Sequence, residues 1–185
     1  MQALVLAGGE GTRLRPLTYT TPKPVMPLAG RPFLSFMLDW LHDHGVDEVI
    51  LSCGFLSDGV KRVLGDIYDG MRLRYVVEEE PLGTAGPVRL AYDEGLLEER
   101  LLVLNGDVLT DIDLTAELER HERTGARATL ALRAVEDTSS YGVVPTACCA
   151  ARRSPTAPST RSTAPTPSCS SPSGPSSASS TGPAR

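Results

Sequence analysis

Met1-Gln2-Ala3-Leu4-Val5-Leu6-Ala7-Gly8-Gly9-Glu10-Gly11-Thr12-Arg13-Leu14-Arg15-Pro16-Leu17-Thr18 opens the chain, and Thr21-Pro22-Lys23-Pro24-Val25-Met26-Pro27-Leu28 follows closely. Within Gln2 to Ala7, Ala3-Leu4-Val5-Leu6-Ala7 is a short apolar run cut off by glycines. That pattern predicts a parallel strand covered on both faces. Gly8, Gly9 and Gly11 then let the backbone turn sharply and come close to a ligand with no Cβ in the way. Their N–H groups can converge on an anion as a phosphate nest. Arg13, Arg15 and Lys23 are the cations within reach, as a polyphosphate requires. Pro22 and Pro24 fix φ on either side of Lys23, so its ammonium is aimed by pre-ordered backbone. The spacing is neither G-x-x-x-x-G-K-[ST] nor G-x-G-x-x-G. A plain tight turn feeding a helix is the competing reading of the glycines alone.

Outward from this stretch the chain alternates strands and helices. Pro32 precedes a helix over Phe33 to His44, with Phe33, Phe36, Met37, Trp40 and Leu41 at helical spacing as one apolar face. Gly45 is placed to end it. A second strand runs through Glu48-Val49-Ile50-Leu51-Ser52. A short helix over Ser57 to Leu64 follows, with Ser57 as a possible cap. Arg72 to Val77 alternates as a third strand. A further helix carries Val88, Leu90, Ala91 and Leu96. Leu101 to Leu104 is a fourth, fully apolar strand. Leu114 to Thr124 is an amphipathic helix with Asp113 as N-cap. Ala126 to Ala134 alternates again as a strand, and Tyr141-Gly142-Val143-Val144 begins one more. The order implies an α/β fold: a Rossmann-like, mostly parallel sheet with helices on both faces. Ligands of such sheets sit beyond the carboxyl ends of strands. The glycine loop, Glu78 to Gly86 and Asp107 all follow strand ends, so one rim should hold them.

Composition limits what the chain can do. Its 18 basic and 23 acidic residues give a net charge of -5, which carries no nucleic-acid footprint. No apolar run approaches the ~20 residues of a membrane span, and the N-terminus has no signal-peptide pattern. Cys53 is read as a buried thiol in an apolar strand, with neither zinc spacing nor a disulfide framework around it. A cytoplasmic protein is the expectation. The pattern specifies no oligomeric state.

Residues 146–185 are of another kind. This stretch contains only Ser, Thr, Pro, Ala, Arg, Cys and Gly, with no acidic residue and no Leu, Ile, Val or Phe. It cannot bury enough apolar surface to offset the entropy of ordering, so it is expected to be disordered. It holds four of the 18 basic residues, which leaves 14 against 23 acidic groups, net -9, in residues 1–145. Residues 1–145 are therefore read separately from this tail.

Gly8 to Thr18, Pro22 to Pro24 and Gly30-Arg31-Pro32-Phe33-Leu34 resemble the signature of the sugar-1-phosphate nucleotidylyltransferases, G-G-x-G-T-R-L-x-P-L-T followed by P-K-P. Glu78-Glu79-Glu80-Pro81-Leu82-Gly83-Thr84-Ala85-Gly86 is similar to the base-binding loop of the mannose-1-phosphate guanylyltransferases. Tyr141 to Val144 resembles the family's Y-G-V-V, and the resemblance stops there, which implies that the sheet is incomplete at its C-terminal side, that residues 1–145 are the N-terminal part of a nucleotidyltransferase domain, and that the tail, 146–185, is an out-of-frame stretch or a Pro/Ser-rich linker. It implies transfer of a nucleoside monophosphate from an NTP, GTP favoured, to a sugar-1-phosphate, mannose favoured, with release of pyrophosphate. Glucose-1-phosphate thymidylyl or uridylyl transfer is the alternative, as is an inactive nucleotide-binding fragment.

The resemblance also implies roles. Arg13 and Lys23 would be catalytic. Ala7, Gly8, Gly9, Gly11, Thr12, Glu78, Gly83 and Thr84 would bind nucleotide. Asn105 and Gly142 would contact the sugar, and Asp107 would hold Mg²⁺. A carboxylate after an apolar strand suits a magnesium ion that also takes phosphate oxygens, though it also suits an Asx turn. A carboxylate at Glu78 can accept both donors of guanine's Watson–Crick edge, though acids before a helix N-terminus are also favoured there without a ligand. The family's second metal-binding aspartate and its E-K-P lysine have no counterpart in this sequence.

Overall fold

The computed structural model describes residues 1–144 apart from 55, 81, 138, 140 and 141. It divides into two compact units, Met1–Leu132 and Arg133–Arg185.

The first unit is a five-stranded sheet. β1 (Gln2–Leu6) lies inside it, flanked in parallel by β4 (Glu48–Cys53) and β7 (Leu101–Asn105). β6 (Met71–Val77) adds in parallel to β4, and the two-residue β5 (Ile67–Tyr68) pairs antiparallel with β6 at the edge. A hairpin of β2 (Pro27–Leu28) and β3 (Arg31–Pro32) stands apart as a second, two-stranded sheet. The chain winds outward from β1 to β4 to β6, then crosses back to put β7 on the far side of β1. Such a reversal leaves a crevice beyond the carboxyl ends of the strands.

The strands are apolar on both faces because helices cover both. On one face Ala3, Val5, Val49, Leu51 and Leu73 pack with α1 (Phe33–Asp43), α2 (Ser57–Leu64) and α4 (Leu114–Thr124). On the other, Leu4, Ile50 and Val76 pack with α3 (Gly86–Asp93). The face of α1 that is fully covered is Leu34, Met37, Leu38 and Leu41. It is rotated from the expected aromatic stripe: Phe33, Phe36 and Trp40 flank it, half-buried. Wide aromatics can shield an edge while keeping part of their surface in water, whereas leucines fill the centre. Each fully buried leucine contributes about 1.5–3 kcal/mol.

The helix ends follow their chemistry. Gly45 (φ 77°) follows α1 in the left-handed region. The Asp113 side chain accepts from Ala116 N at 3.0 Å and caps α4. Ser57 does not cap α2. It lies one place inside the helix, and Leu56 holds the cap position at φ 61° with no side-chain bond. Leu96 lies past the end of α3 rather than on it, yet packs on the same core. Gln2 is buried, and its amide is satisfied by Glu48 Oε1 (2.7 Å), Leu96 O (2.9 Å) and the Glu98 N–H (2.9 Å). That side chain ties β1 to the segment entering β7.

Residues 126–134 form no strand and are almost all exposed. Their alternation supplies an apolar side. A strand also needs a partner ladder for its N–H and C=O groups, and no described strand pairs with them. Gly142 to Val144 form no strand either, and Tyr141 lies outside the described residues, as does the tail.

Candidate active site

The rim of the sheet is levelled by register. Leu6 is paired with Ser52 on one side and Asn105 on the other. Ladder bonds continue past the strand ends, from Ala7 N to Ser52 O, Glu78 N to Cys53 O and Gly106 N to Leu6 O, each 2.8 Å. The three loops therefore leave the sheet together. They enclose a cleft of about 390 Å³ lined by Leu6, Ala7, Gly8, Gly9, Lys23, Pro24, Glu78, Gly83, Thr84, Pro87, Asn105, Gly106 and Asp107. That volume is within the range of small-molecule sites.

The cleft floor is main chain. A Cβ on Gly54 would come within 2.8 Å of Gly8 O, and one on Gly106 within 2.9 Å of Leu6 O. A Cβ on Gly8 would stand 2.6 Å from Glu78 Oε1. Backbone excludes a side chain at Gly54 and Gly106, whereas at Gly8 the obstacle is the carboxylate of Glu78.

Lys23 opens a 3-10 turn, Lys23–Val25, between the buried prolines Pro22 and Pro24. Pro22 packs on α2 where Gly59 leaves room, since a Cβ there would be 3.0 Å from the proline ring. Phe33 N donates to Met26 O at 2.8 Å and closes the segment onto α1. So held, Lys23 Nζ reaches across the cleft to Asp107 Oδ2 at 2.7 Å. The opposite wall is built on Glu78, whose Oε1 accepts from Ser52 Oγ at 2.7 Å and whose Oε2 accepts from Leu82 N at 3.2 Å.

Of the residues read from the sequence, Ala7, Gly8, Gly9, Lys23, Glu78, Gly83, Thr84, Asn105 and Asp107 share this cleft. Gly11, Thr12 and Arg13 are not among its lining residues. Gly11 (φ 64°) packs against Thr18 and the Lys23 stem, and Thr18 Oγ1 donates to Gly11 O at 2.9 Å. Its place here is to join the glycine loop to the lysine segment. Thr12 and Arg13 lie exposed in the next 3-10 turn, Thr12–Leu14. Arg15 is turned to Glu10 (3.1 Å) and to the Tyr19 ring. Gly142 belongs to the second unit. Sequence reasoning passed over Ser52, Pro87 and Gly106. Gly106 was signalled by its place between Asn105 and Asp107 at a strand end. Ser52 carried no signal, because its partner lies 26 positions away.

The charges of the described lining are one cation, Lys23, against two carboxylates, Glu78 and Asp107. A polyphosphate entering such walls needs a further positive charge beside Asp107. Among the described residues no group of three His, Cys, Asp or Glu could hold a metal on its own. Asp107, the one aspartate of the described lining, fits a divalent cation that takes phosphate oxygens as further ligands. Cys53, beneath the cleft, is pushed up to about 12 by burial and by the Glu78 charge, so it stays a neutral thiol. No helix among the described residues is long and apolar enough to cross a membrane.

A mostly parallel sheet with a glycine-lined, lysine- and aspartate-flanked crevice is the architecture of a nucleotide-handling α/β protein. The nucleotidyl transferase family matches residues 2–153, and the chain belongs to that family. It is 38% identical over 144 residues to the D-glycero-alpha-D-manno-heptose 1-phosphate guanylyltransferase of Aneurinibacillus thermoaerophilus, covering 78% of this chain and 62% of that protein. It is 41% identical over 147 residues to the mannose-1-phosphate guanylyltransferase of Mycobacterium tuberculosis, covering 79% and 41%. The fold is similar to crystal structures of HddC from Yersinia pseudotuberculosis, one of them complexed with GMP-PN (TM-score 0.57, 32% identity, 65% of this chain and 53% of that one). It is also similar to a putative glucose-1-phosphate thymidylyltransferase from Bacillus anthracis (TM-score 0.59, 26% identity, covering 66% and 50%). The chain thus spans between 41% and 62% of the length of these curated relatives.

Proposed function

We propose that the cleft binds GTP and serves transfer of its guanylyl group to a sugar-1-phosphate of the mannose type, with release of pyrophosphate. The observation that carries this is the Lys23–Asp107 pair, 2.7 Å apart, at a main-chain floor built from Gly8 and Gly9. The reaction forms a bond between a sugar-phosphate oxygen and the α-phosphorus, and breaks the bridge from the α-phosphorus to the leaving pyrophosphate. It asks for positioning and charge neutralisation rather than a covalent nucleophile. Gly8 and Gly9 N–H groups would receive phosphate oxygens. Lys23 would turn from Asp107 to the attacked phosphate. Arg13 and Thr12, on the adjoining exposed turn, would complete the triphosphate grip. Asp107 would hold Mg²⁺, which supplies charge neutralisation when bound. Glu78, with Gly83 and Thr84 beside it in the lining, would accept guanine's ring N–H and 2-amino group. Asn105, at the end of β7, would contact the sugar. The names of the relatives support guanine and a manno-configured sugar. A cytoplasmic setting goes with an NTP substrate.

A second reading has its own support in the share of the relatives' length that the chain spans. On it, the chain holds nucleotide without turning it over. Coupled pyrophosphate release, with GTP, dTTP or UTP offered against mannose- or glucose-1-phosphate, separates the two. Turnover with GTP and mannose-1-phosphate supports transfer. GTP binding without turnover supports the fragment reading. Neither binding nor turnover overturns both.

A further inference from the structure

We infer that Ser52 is a positioning residue for nucleobase selection: its buried hydroxyl fixes the carboxylate of Glu78 in the orientation from which that group reads the base. The inference rests on the proposed role of Glu78 and goes one layer beneath it. Ser52 is fully buried, in the last turn of pleat before β4 ends. Its carbonyl is already committed to Ala7 N at 2.8 Å, so the backbone that carries the hydroxyl is locked to β1. The hydroxyl donates to Glu78 Oε1 at 2.7 Å. Leu82 N donates to the other oxygen at 3.2 Å, and Gly8 closes over Oε1 so tightly that a Cβ there would stand 2.6 Å away.

A glutamate side chain has three rotatable bonds and, free at a surface, would sample many orientations. Here a donor beneath, a donor along the loop and backbone above select one. Each carboxylate oxygen keeps a second lone pair for an incoming N–H. Bidentate reading of a base edge needs both oxygens in one plane at one place. Removal of the Ser52 donor leaves Glu78 charged and near the site but free to rotate. Loss should therefore fall on the base that uses both oxygens, not on nucleotide binding in general.

Inosine triphosphate tests this, because it lacks only the 2-amino group of GTP. Affinities of GTP, ITP and ATP are measured by calorimetry for the full chain and for Ser52→Ala, Ser52→Thr and Glu78→Gln, with thermal midpoints recorded alongside. The expected result is that Ser52→Ala narrows the GTP-over-ITP preference about tenfold, with ITP and ATP affinity changed less than about twofold. That tenfold corresponds to roughly 1.4 kcal/mol, the scale of a single hydrogen bond to a charged group. Ser52→Thr, which retains the donor, keeps the preference. Equal weakening of all three nucleotides by Ser52→Ala, or no change in the ratio, overturns the role of Ser52 while leaving Glu78 as the reader if Glu78→Gln collapses the preference. An intact preference in Glu78→Gln overturns the base-reading role itself and this inference with it.

Discussion

Lys23 and Asp107 satisfy one another across the cleft although both retain contact with water, being 32% and 52% exposed. An ion pair so placed contributes at most about 1 kcal/mol to stability. Its value lies in where it holds the ammonium. We expect Lys23→Ala to change the urea midpoint little while lowering pyrophosphate release about 10²–10³-fold, the usual loss when a group that stabilises developing charge is removed. Equal losses of stability and turnover would assign the lysine a structural role instead. The same residue shows what a sequence can disclose. Its flanking prolines announce a rigid presentation, and both are buried as such. That it meets Asp107, 84 positions later, is a fact of winding that local pattern does not contain. Gly11 shows the converse. Its freedom at φ 64° was legible, whereas its contacts with Thr18 and the Lys23 stem depend on how the loop folds back and were not.

At the scale of elements, α1 and β5 are joined by a polar cluster on the hairpin side. Arg31 Nη2 donates to Asp39 Oδ2 at 2.6 Å, and Tyr68 Oη donates to Asp39 Oδ1 at 2.7 Å. The Arg31 guanidinium also stacks over the Phe36 ring at 4.9 Å. Burial alone would lift the Asp39 carboxyl, but the hydrogen bonds from Tyr68 and Arg31 outweigh it and hold it below the ordinary carboxylate range. A carboxyl lowered on folding stabilises the fold above its unfolded value and loses that contribution as pH falls through the folded one. The melting difference between the parent chain and Asp39→Asn should thus be present at neutral pH and shrink below about pH 4. A difference that is flat across that window would show the cluster to be uncoupled from folding. For α4, Asp113→Ala should cost about 1 kcal/mol in urea unfolding, because it orphans the Ala116 N–H. Asp113 was legible from the sequence because a cap is a local arrangement. Ser57 misled because the choice between cap and first turn depends on the preceding φ, which Leu56 takes at 61°.

At the scale of the whole molecule, the sheet formed by the described residues is finished at one border and open at the other. β5 turns back on β6 and ends that side in two residues. β7 pairs with β1 alone among the described residues, and Val103 in its middle is 49% exposed. Residues 126–134, apolar in alternation but unpaired, are largely exposed as well. An open parallel border with apolar side chains invites pairing with another chain. Light scattering should therefore rise with concentration, and Val103→Lys should reduce it without shifting the melting midpoint by more than a few degrees. Unchanged scattering would place the sticky surface elsewhere. The α/β winding was readable throughout because strand and helix periods differ so clearly. The expected strand over Ala126 to Ala134 did not form, because side-chain alternation specifies a face and not a neighbour. The crowding of Gly54 and Gly106 against backbone oxygens has one more implication. The cleft is not recut by side chains at those two positions without moving the backbone. If the proposed base-reading role of Glu78 holds, drift toward another nucleobase would proceed through the wall at Glu78, Gly83 and Thr84, with Gly54 and Gly106 left untouched.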